Sequence, residues 1–107
     1  MFARILEFTL KTDKKEEFVR IVKNEILPIL KKQSGFLDIL PLIPEAKHEK
    51  FVTISLWTEK KDVEKYDRMV YPEIQQILKP FLLTPIEVRP YLVETTLCEH
   101  FVNALVA

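Results

Sequence analysis

The N-terminal segment alternates between apolar side chains and others with a period of two. One side of an extended chain would carry Phe2, Leu6, Phe8 and Leu10. The opposite side is also partly apolar, with Ala3 and Ile5. This alternation predicts a first β-strand within residues 2–11, with apolar side chains on both faces that other parts of the protein must cover.

A helical period replaces the alternation over residues 12–32. Apolar side chains recur there at helical spacing: Phe18, Ile21, Val22, Ile26 and Ile29. Thr12 or Asp13 is the predicted N-cap, and Glu16, three residues after Asp13, has the spacing that closes a capping box. Pro28 lacks an N–H and its ring clashes with the preceding turn, so we expect a kink there. Gly35 follows at the place of a left-handed helix terminus.

The remaining pattern predicts three strands and three helices. A second strand starts at Phe36, and Pro41 and Pro44 push its distal half towards a sheet edge. The third strand, "FVTISLW", leads into a helix that is interrupted before Pro72, where a second short helix can begin. The predicted ranges are strands 36–46, 51–57 and 85–95 and helices 59–69, 72–82 and 96–107.

The element order is therefore βαββαβ, followed by a short C-terminal helix. This order predicts an α+β, ferredoxin-like fold, in which an antiparallel four-stranded sheet carries its helices on one face. We assign residues 1–94 to this domain and residues 95–107 to the amphipathic helix. A helix this short is marginal alone in water, so it must dock, either as a lock on a dimer or as a lid over a pocket.

Charge and cysteine content exclude several classes of partner. Sixteen basic and sixteen acidic residues are interspersed, so a nucleic-acid partner is not expected. No apolar run approaches the ~20 residues of a membrane span, and no export leader precedes the first strand, so we expect a cytoplasmic protein without a membrane partner. Cys98, His48 and His100 lack the spacing of metal ligands, so no metal site is expected.

Four segments, taken in order, resemble the antibiotic-biosynthesis monooxygenase-like domains of the dimeric α/β-barrel group. They are "LKTDKKEEF", "SGFLDI", "ISLWTEKKDVEKY" and "YPEIQQILKPFL", and the resemblance spans roughly residues 2–93. It implies a homodimer whose sheets pack face to face, which fits the apolar residues on both faces of the first and third strands. It also implies a pocket between each sheet and its own helices.

Activities differ within the resembled group. Some members oxidise polycyclic aromatic compounds with molecular oxygen and no cofactor, others cleave haem, and many have no assigned activity. The haem-cleaving members use an asparagine, a tryptophan and a histidine, and the resemblance puts Leu6, Tyr66 and Ile74 at those positions. Haem degradation by that scheme is therefore not expected, and no cofactor is expected either.

Four residues are candidates for binding a small aromatic ligand. Trp57 could stack on a planar substrate or be a large packing residue. Tyr66 could donate a hydrogen bond to a substrate oxygen, or simply belong to an aromatic stripe. Thr53 and Ser55 share the strand face of Trp57, which suits either a polar pocket wall or a partly wet face. No catalytic base can be named from the sequence.

Three functional classes remain open at this point. The first is a cofactor-independent monooxygenase that acts on a small aromatic compound. The second is a small-molecule-binding protein that uses the same pocket without chemistry, and the third is a structural dimer without a ligand. Fold-level analogy alone does not choose among them.

Overall fold

The computed structural model describes residues 1–47 and 49–97 and contains a four-stranded antiparallel sheet. Its strands are β1 (Phe2–Phe8), β2 (Phe36–Leu42), β3 (Phe51–Trp57) and β4 (Glu87–Leu92). Their order across the sheet is β2-β3-β1-β4, and each neighbouring pair is antiparallel. The predicted α+β ferredoxin-like fold, with helices on one face of this sheet, is confirmed.

The first helical layer is not a regular α-helix. It runs as α1 (Lys15–Ile21), a π-helical segment (Val22–Ile26) and α2 (Leu27–Lys31). The backbone N–H of Leu27 bonds to the carbonyl of Val22, five residues earlier. Pro28 accounts for this wide turn, because its ring would collide with the carbonyl four residues before it in a regular α-helix. The interruption at Pro28 is therefore a π-helical turn.

The predicted capping box at the start of α1 is wrong. Lys14 occupies the N-cap position, and no side chain caps the helix there. Asp13 instead adopts a left-handed backbone conformation with φ of 62°, which aspartate tolerates better than most residues. The backbone N–H of Lys14 closes this turn onto the carbonyl of Lys11 at 3.3 Å. Asp13 therefore belongs to the turn between Lys11 and Lys14 and does not cap α1.

The second helical layer consists of α3 (Lys60–Met69) and α4 (Tyr71–Leu78), followed by a 3₁₀ turn (Lys79–Phe81). The two helices are separated at Val70, and Pro72 lies in the first turn of α4, where its missing N–H breaks no bond. The break thus falls one residue before the predicted one. Between α2 and β2, Gly35 has φ of 79°, which is the left-handed conformation expected after the first helical layer.

One core fills the space between the sheet and the helices. Buried side chains of β1 and β3 meet those of the helices; the members include Phe2, Leu6, Phe8, Trp57, Phe18, Ile26, Leu30, Val63, Tyr66 and Ile74. The opposite sheet face, by strand alternation and register, carries a second apolar set: Ala3, Ile5, Leu40, Val52, Ile54, Leu56 and Tyr91. We call this second set the outer face.

No helix within residues 1–47 and 49–97 is long and apolar enough to cross a membrane. After β4, residues Thr95–Leu97 form a 3₁₀ turn. The rest of the predicted C-terminal helix, with Cys98 and His100, lies outside the described residues, as does His48. The docking of that helix and the domain boundary at residue 94 therefore stay predictions.

Candidate functional site

An apolar cavity of about 370 Å³ lies between the sheet and its helices. Most of its wall is made of aliphatic and aromatic side chains; they include Leu6, Phe8, Val22, Ile26, Ile39 and Ile74. The polar side chains in the wall are few: Arg4, Lys23, Thr53, Ser55 and Tyr66. Protein sites for small molecules commonly have volumes of roughly 300–1,000 Å³ and this mixture of apolar wall and sparse polar groups.

The hollow arises from the sizes of the side chains along β3. Phe51 and Trp57 are large and lie at the two ends of the strand, opposite Phe8 and Phe2 of β1. Between them Thr53 and Ser55 are short, so the middle of the inner face is not filled from the sheet side. Val22 and Ile26, on the π-helical segment, form part of the wall across this gap. Small residues flanked by large ones therefore leave the space.

Three of the four predicted site residues line this cavity, and Trp57 does not. Thr53, Ser55 and Tyr66 are in its wall, whereas Trp57 has no exposed surface and lies behind it. The indole Nε1 of Trp57 donates to Ser55 Oγ at 2.9 Å. The Trp57 ring packs against Tyr66 at 4.9 Å and edge-on against Phe36 at 5.4 Å between centroids. Trp57 thus supports the wall from behind.

Tyr66 keeps its proton at ordinary pH. Burial raises the pKa of its hydroxyl far above the usual value, because the charged form would lose its hydration, and the positive charge of Arg4 offsets only part of this effect. Burial likewise raises the pKa of Tyr71, with Arg4 again opposing the shift. Both tyrosines are therefore neutral hydroxyls, which can donate or accept a hydrogen bond but cannot act as a ready base.

Arg4 is a charged residue of the cavity wall that the sequence analysis did not single out. It lies on β1 with only 3% of its surface exposed, and it lines the cavity. Its Nε lies 2.9 Å from Asp67 Oδ1, and its Cζ lies 4.0 Å from the ring centroid of Tyr71 and 5.4 Å from that of Tyr66. The sequence did contain an indication of its burial, since Arg4 lies between Phe2 and Leu6 on the apolar side of the first strand.

The contact between Arg4 and Asp67 is an ion pair without hydrogen-bond geometry. The distance of 2.9 Å is short, yet Arg4 Nε and Asp67 Oδ1 both lack a hydrogen-bond partner among the described residues. Arg4 Nη2 and the hydroxyl of Tyr71 are buried and likewise have none there. The N–H directions thus miss the carboxylate, and the attraction between the two groups is mainly Coulombic.

The positions that the resemblance aligns with the residues of haem-cleaving proteins all lie in the cavity wall. Leu6 and Ile74 are apolar there, and neither can ligate iron. Tyr66 keeps an aromatic ring at the third position. Within the part of the chain that the structure describes, no cluster of three or more His, Cys, Asp or Glu side chains could hold a metal ion.

The architecture is that of a ferredoxin-like α+β protein with an apolar cavity between sheet and helices. More specifically, the chain belongs to the antibiotic biosynthesis monooxygenase family, whose model matches residues 1–71. A comparison with curated proteins gave no match.

Solved structures share this fold at low sequence identity. SnoaB, a cofactor-independent oxygenase from Streptomyces nogalater, is similar with a TM-score of 0.69 and 18% identity, over 92% of this chain and 97% of that one. The monooxygenase ActVA-Orf6 of Streptomyces coelicolor, solved with nanaomycin D, gives 0.72 and 13%, over 87% of each chain. A conserved protein from Methanosarcina mazei gives 0.68 and 22%, over 85% of this chain and 91% of that one.

Proposed function

We propose that the protein is a cofactor-independent monooxygenase that acts on a small aromatic compound. The observation that carries this proposal is the cavity between sheet and helices, which has room for an aromatic ligand and is almost wholly apolar. Membership of the monooxygenase family supports it, as do similar folds described as a cofactor-independent oxygenase and a monooxygenase. Thr53, Ser55 and Tyr66 would contact the substrate, and Trp57 would hold the Tyr66 ring in place.

The protein would act as a cytoplasmic homodimer with its sheets packed face to face. On the outer face, Leu40 is 56% exposed and Tyr91 is 50% exposed in the single chain. A sheet with helices on one face leaves such a surface to water unless another layer covers it. A second copy can cover it symmetrically with the same residues. The single cysteine, which cannot form an internal disulfide, suits a reducing compartment.

The chemistry would depend on environment more than on a reactive side chain. The apolar wall would exclude water and hold the ring of the substrate, and the neutral Tyr66 hydroxyl could donate a hydrogen bond to a substrate oxygen. A substrate oxidised at a methylene supplies all the electrons itself. Its CH₂ becomes C=O, one atom of O₂ enters that carbonyl, and the other atom leaves as water with the two hydrogens.

Binding without chemistry is the second candidate, and one observation favours it. Among the described residues that line the cavity, none is an aspartate, glutamate or histidine. A protein that deprotonates its own substrate usually places such a base within hydrogen-bond reach. A small-molecule-binding protein needs none.

Oxygen uptake separates the two candidates. We expect the purified, cofactor-free protein to consume O₂ with a tricyclic phenolic ketone and to place one ¹⁸O atom from ¹⁸O₂ in the product. Replacing Tyr66→Phe removes one hydrogen-bond donor and should lower kcat by roughly 10²-fold. Tyr91→Phe removes a hydroxyl on the outer face and should leave kcat unchanged. Saturable binding of such compounds without oxygen uptake would support the binding protein instead.

A further inference from the structure

The inner side of the edge strand β4 carries apolar side chains that no helix within residues 1–47 and 49–97 covers. They lie opposite buried side chains of β1: Val88, Pro90 and Leu92. Leu92 is 82% exposed, although Phe2 across from it is 7% exposed. Val88 and Pro90 are exposed as well. The helical layers therefore cover the inner face of the sheet as far as β1 and leave its last strand open.

The flank of α3 forms one wall beside this open strip. Asp67 of α3 approaches Arg4 of β1 at 2.9 Å, and Arg4 lies directly opposite Pro90 in the sheet. The Asp67 side chain is nevertheless 40% exposed, so water still reaches this flank. The strip is thus a shallow trough with an apolar floor and one helical wall, which is the kind of surface on which an amphipathic helix packs.

The chain passes from this strip directly into a segment with a matching apolar pattern. The backbone N–H of Val93 donates to the carbonyl of Met1 at 3.1 Å, which holds the chain beside β1 up to that point. The 3₁₀ turn Thr95–Leu97 follows, and Leu97 is 84% exposed at its end. From there, apolar side chains recur at helical spacing: Leu97, Phe101 and Leu105. A short helix with such a stripe needs an apolar surface to be stable.

We propose that residues 98–107 form a helix that packs on the inner side of β4, antiparallel to the strand, with its apolar stripe on the floor of the trough. The lengths of the two partners agree. A helix rises about 12 Å from Leu97 to Leu105. The strand spans about 13 Å from Leu92 to Val88. This inference does not depend on the proposed function.

Two other positions for the segment, over the cavity and on a second copy, agree less well with the structure. The exposed residues of the cavity wall, which include Val19, Lys23 and Ile43, lie on the first helical layer and just beyond β2. Because β2 and β4 are opposite edges of the sheet, three strand spacings, about 14 Å, separate the strip from that opening. Packing on a second copy would leave the inner side of β4 open to water.

A helix on β4 would also support the wall of the cavity. It would bring apolar side chains next to the ion pair of Arg4 and Asp67, and an ion pair is screened less when water is excluded from it. The same helix α3 carries Asp67 and the cavity residue Tyr66. The segment would therefore hold α3 against β1 from the side remote from the cavity opening.

Disulfide trapping in the full-length chain tests this position. In a Cys98→Ser background, Val88→Cys and Leu105→Cys place one thiol on the inner side of β4 and one on the stripe. Two cysteines can bridge only when their Cα atoms come within about 7 Å. We expect mild oxidation to consume both thiols and to give a product with the mass of one chain. Glu87→Cys with Leu105→Cys is the matched control and should keep its thiols free, because Glu87 lies on the outer face.

Thermal unfolding provides a second measurement that needs no cysteine. Phe101→Asp puts a charge on the apolar stripe and should lower the thermal midpoint by roughly 5–10 °C, because packing on β4 would bury that charge. Asn103→Asp adds the same charge on the opposite side of a helix and should change the midpoint by less than about 2 °C.

Four results would contradict the proposal. A disulfide-linked product with the mass of two chains from Val88→Cys and Leu105→Cys would place the segment on a second copy. Equal trapping of the Glu87→Cys pair, or no trapping of either pair, would show that the segment does not lie on the inner side of β4. Equal thermal midpoints for Phe101→Asp and Asn103→Asp would show that the stripe is not packed. If the cysteine variants do not fold, the two thermal midpoints still decide the question.

Discussion

Ser55 and Trp57 form a polar contact in a place where water cannot replace it. Ser55 Oγ accepts from the Trp57 indole at 2.9 Å and donates to the carbonyl of Arg4 at 3.4 Å. Ser55 is thus both a cavity-wall residue and the partner of the most buried side chain of the described core. At the scale of single residues, a hydroxyl that looks like a ligand contact in the sequence also has a structural role.

Removing the Ser55 hydroxyl should therefore destabilise the fold. Ser55→Ala leaves the buried indole N–H without an acceptor, and an unsatisfied buried donor costs about 1–3 kcal/mol. Thr53→Val is the matched control: it also removes a hydroxyl from the wall, but one that makes no hydrogen bond within the described residues, and we expect a change below about 1 kcal/mol. Urea unfolding followed by Trp57 fluorescence measures both. Equal effects would show that the Ser55 contact contributes nothing specific.

Backbone geometry at two places positions the elements around the cavity. The π-helical turn before Pro28 brings Val22 and Ile26 to the wall, and Gly35 turns the chain from the first helical layer into β2. The carbonyl of Gly35 accepts from the backbone N–H of Thr58 at 2.8 Å, which ties the start of β2 to the end of β3. A side chain at Gly35 would meet Asp62 of α3. Element packing thus depends on one residue without a Cβ.

Substitution of Gly35 should be costly for two separate reasons. Gly35→Ala places a Cβ in a left-handed conformation and against the Asp62 side chain, and we expect a loss of roughly 1–3 kcal/mol in the free energy of unfolding. Gly35→Asn tolerates the backbone conformation better but brings the same Cβ. If the space near Asp62 is what matters, both variants lose similar stability in urea. A nearly neutral Asn variant would show that only the backbone angle matters.

At the scale of the whole molecule, no helix covers the outer face of the sheet, where apolar side chains such as Leu40 and Tyr91 are exposed in the single chain. Ile54 lies at the centre of this face, opposite Ile5 of β1 and Leu40 of β2. Burial of such side chains contributes about 25 cal/mol per Å², so a face of this kind favours association. The formal net charge of zero offers little repulsion between copies.

We expect light scattering at micromolar concentration to give a mass near twice 12.7 kDa. Ile54→Lys puts a charge in the middle of the outer face and should reduce the mass to that of one chain, because an unpaired buried charge is strongly unfavourable. Met69→Lys, on the exposed side of α3, makes the same chemical change away from this face and should remain a dimer. A monomeric unmodified protein would exclude sheet-to-sheet pairing.

Local patterns in the sequence carried much of the architecture. The period of two grouped Phe2 with Leu6 and Phe8 on one face of β1, and Trp57 with Thr53 and Ser55 on one face of β3. The helical periods located both helical layers, because side-chain direction in a strand or helix depends only on position along it. The placement of Thr53, Ser55 and Tyr66 at one wall followed from the same periods together with the resemblance. The capping box failed, since a turn with Asp13 in the left-handed region competed for the same residues.

The tertiary structure decided the features that depend on distant partners. Trp57 does not line the cavity, because Tyr66 and Phe36 cover its ring. Strand alternation predicts neither of these contacts. Arg4 became a buried, ion-paired residue of the cavity wall because Asp67 and Tyr71, more than sixty positions away in the chain, meet its guanidinium. The burial and the unmet hydrogen bonds of a charge depend on every group around it in space. The sequence alone shows only that an arginine lies on the apolar side of a predicted strand.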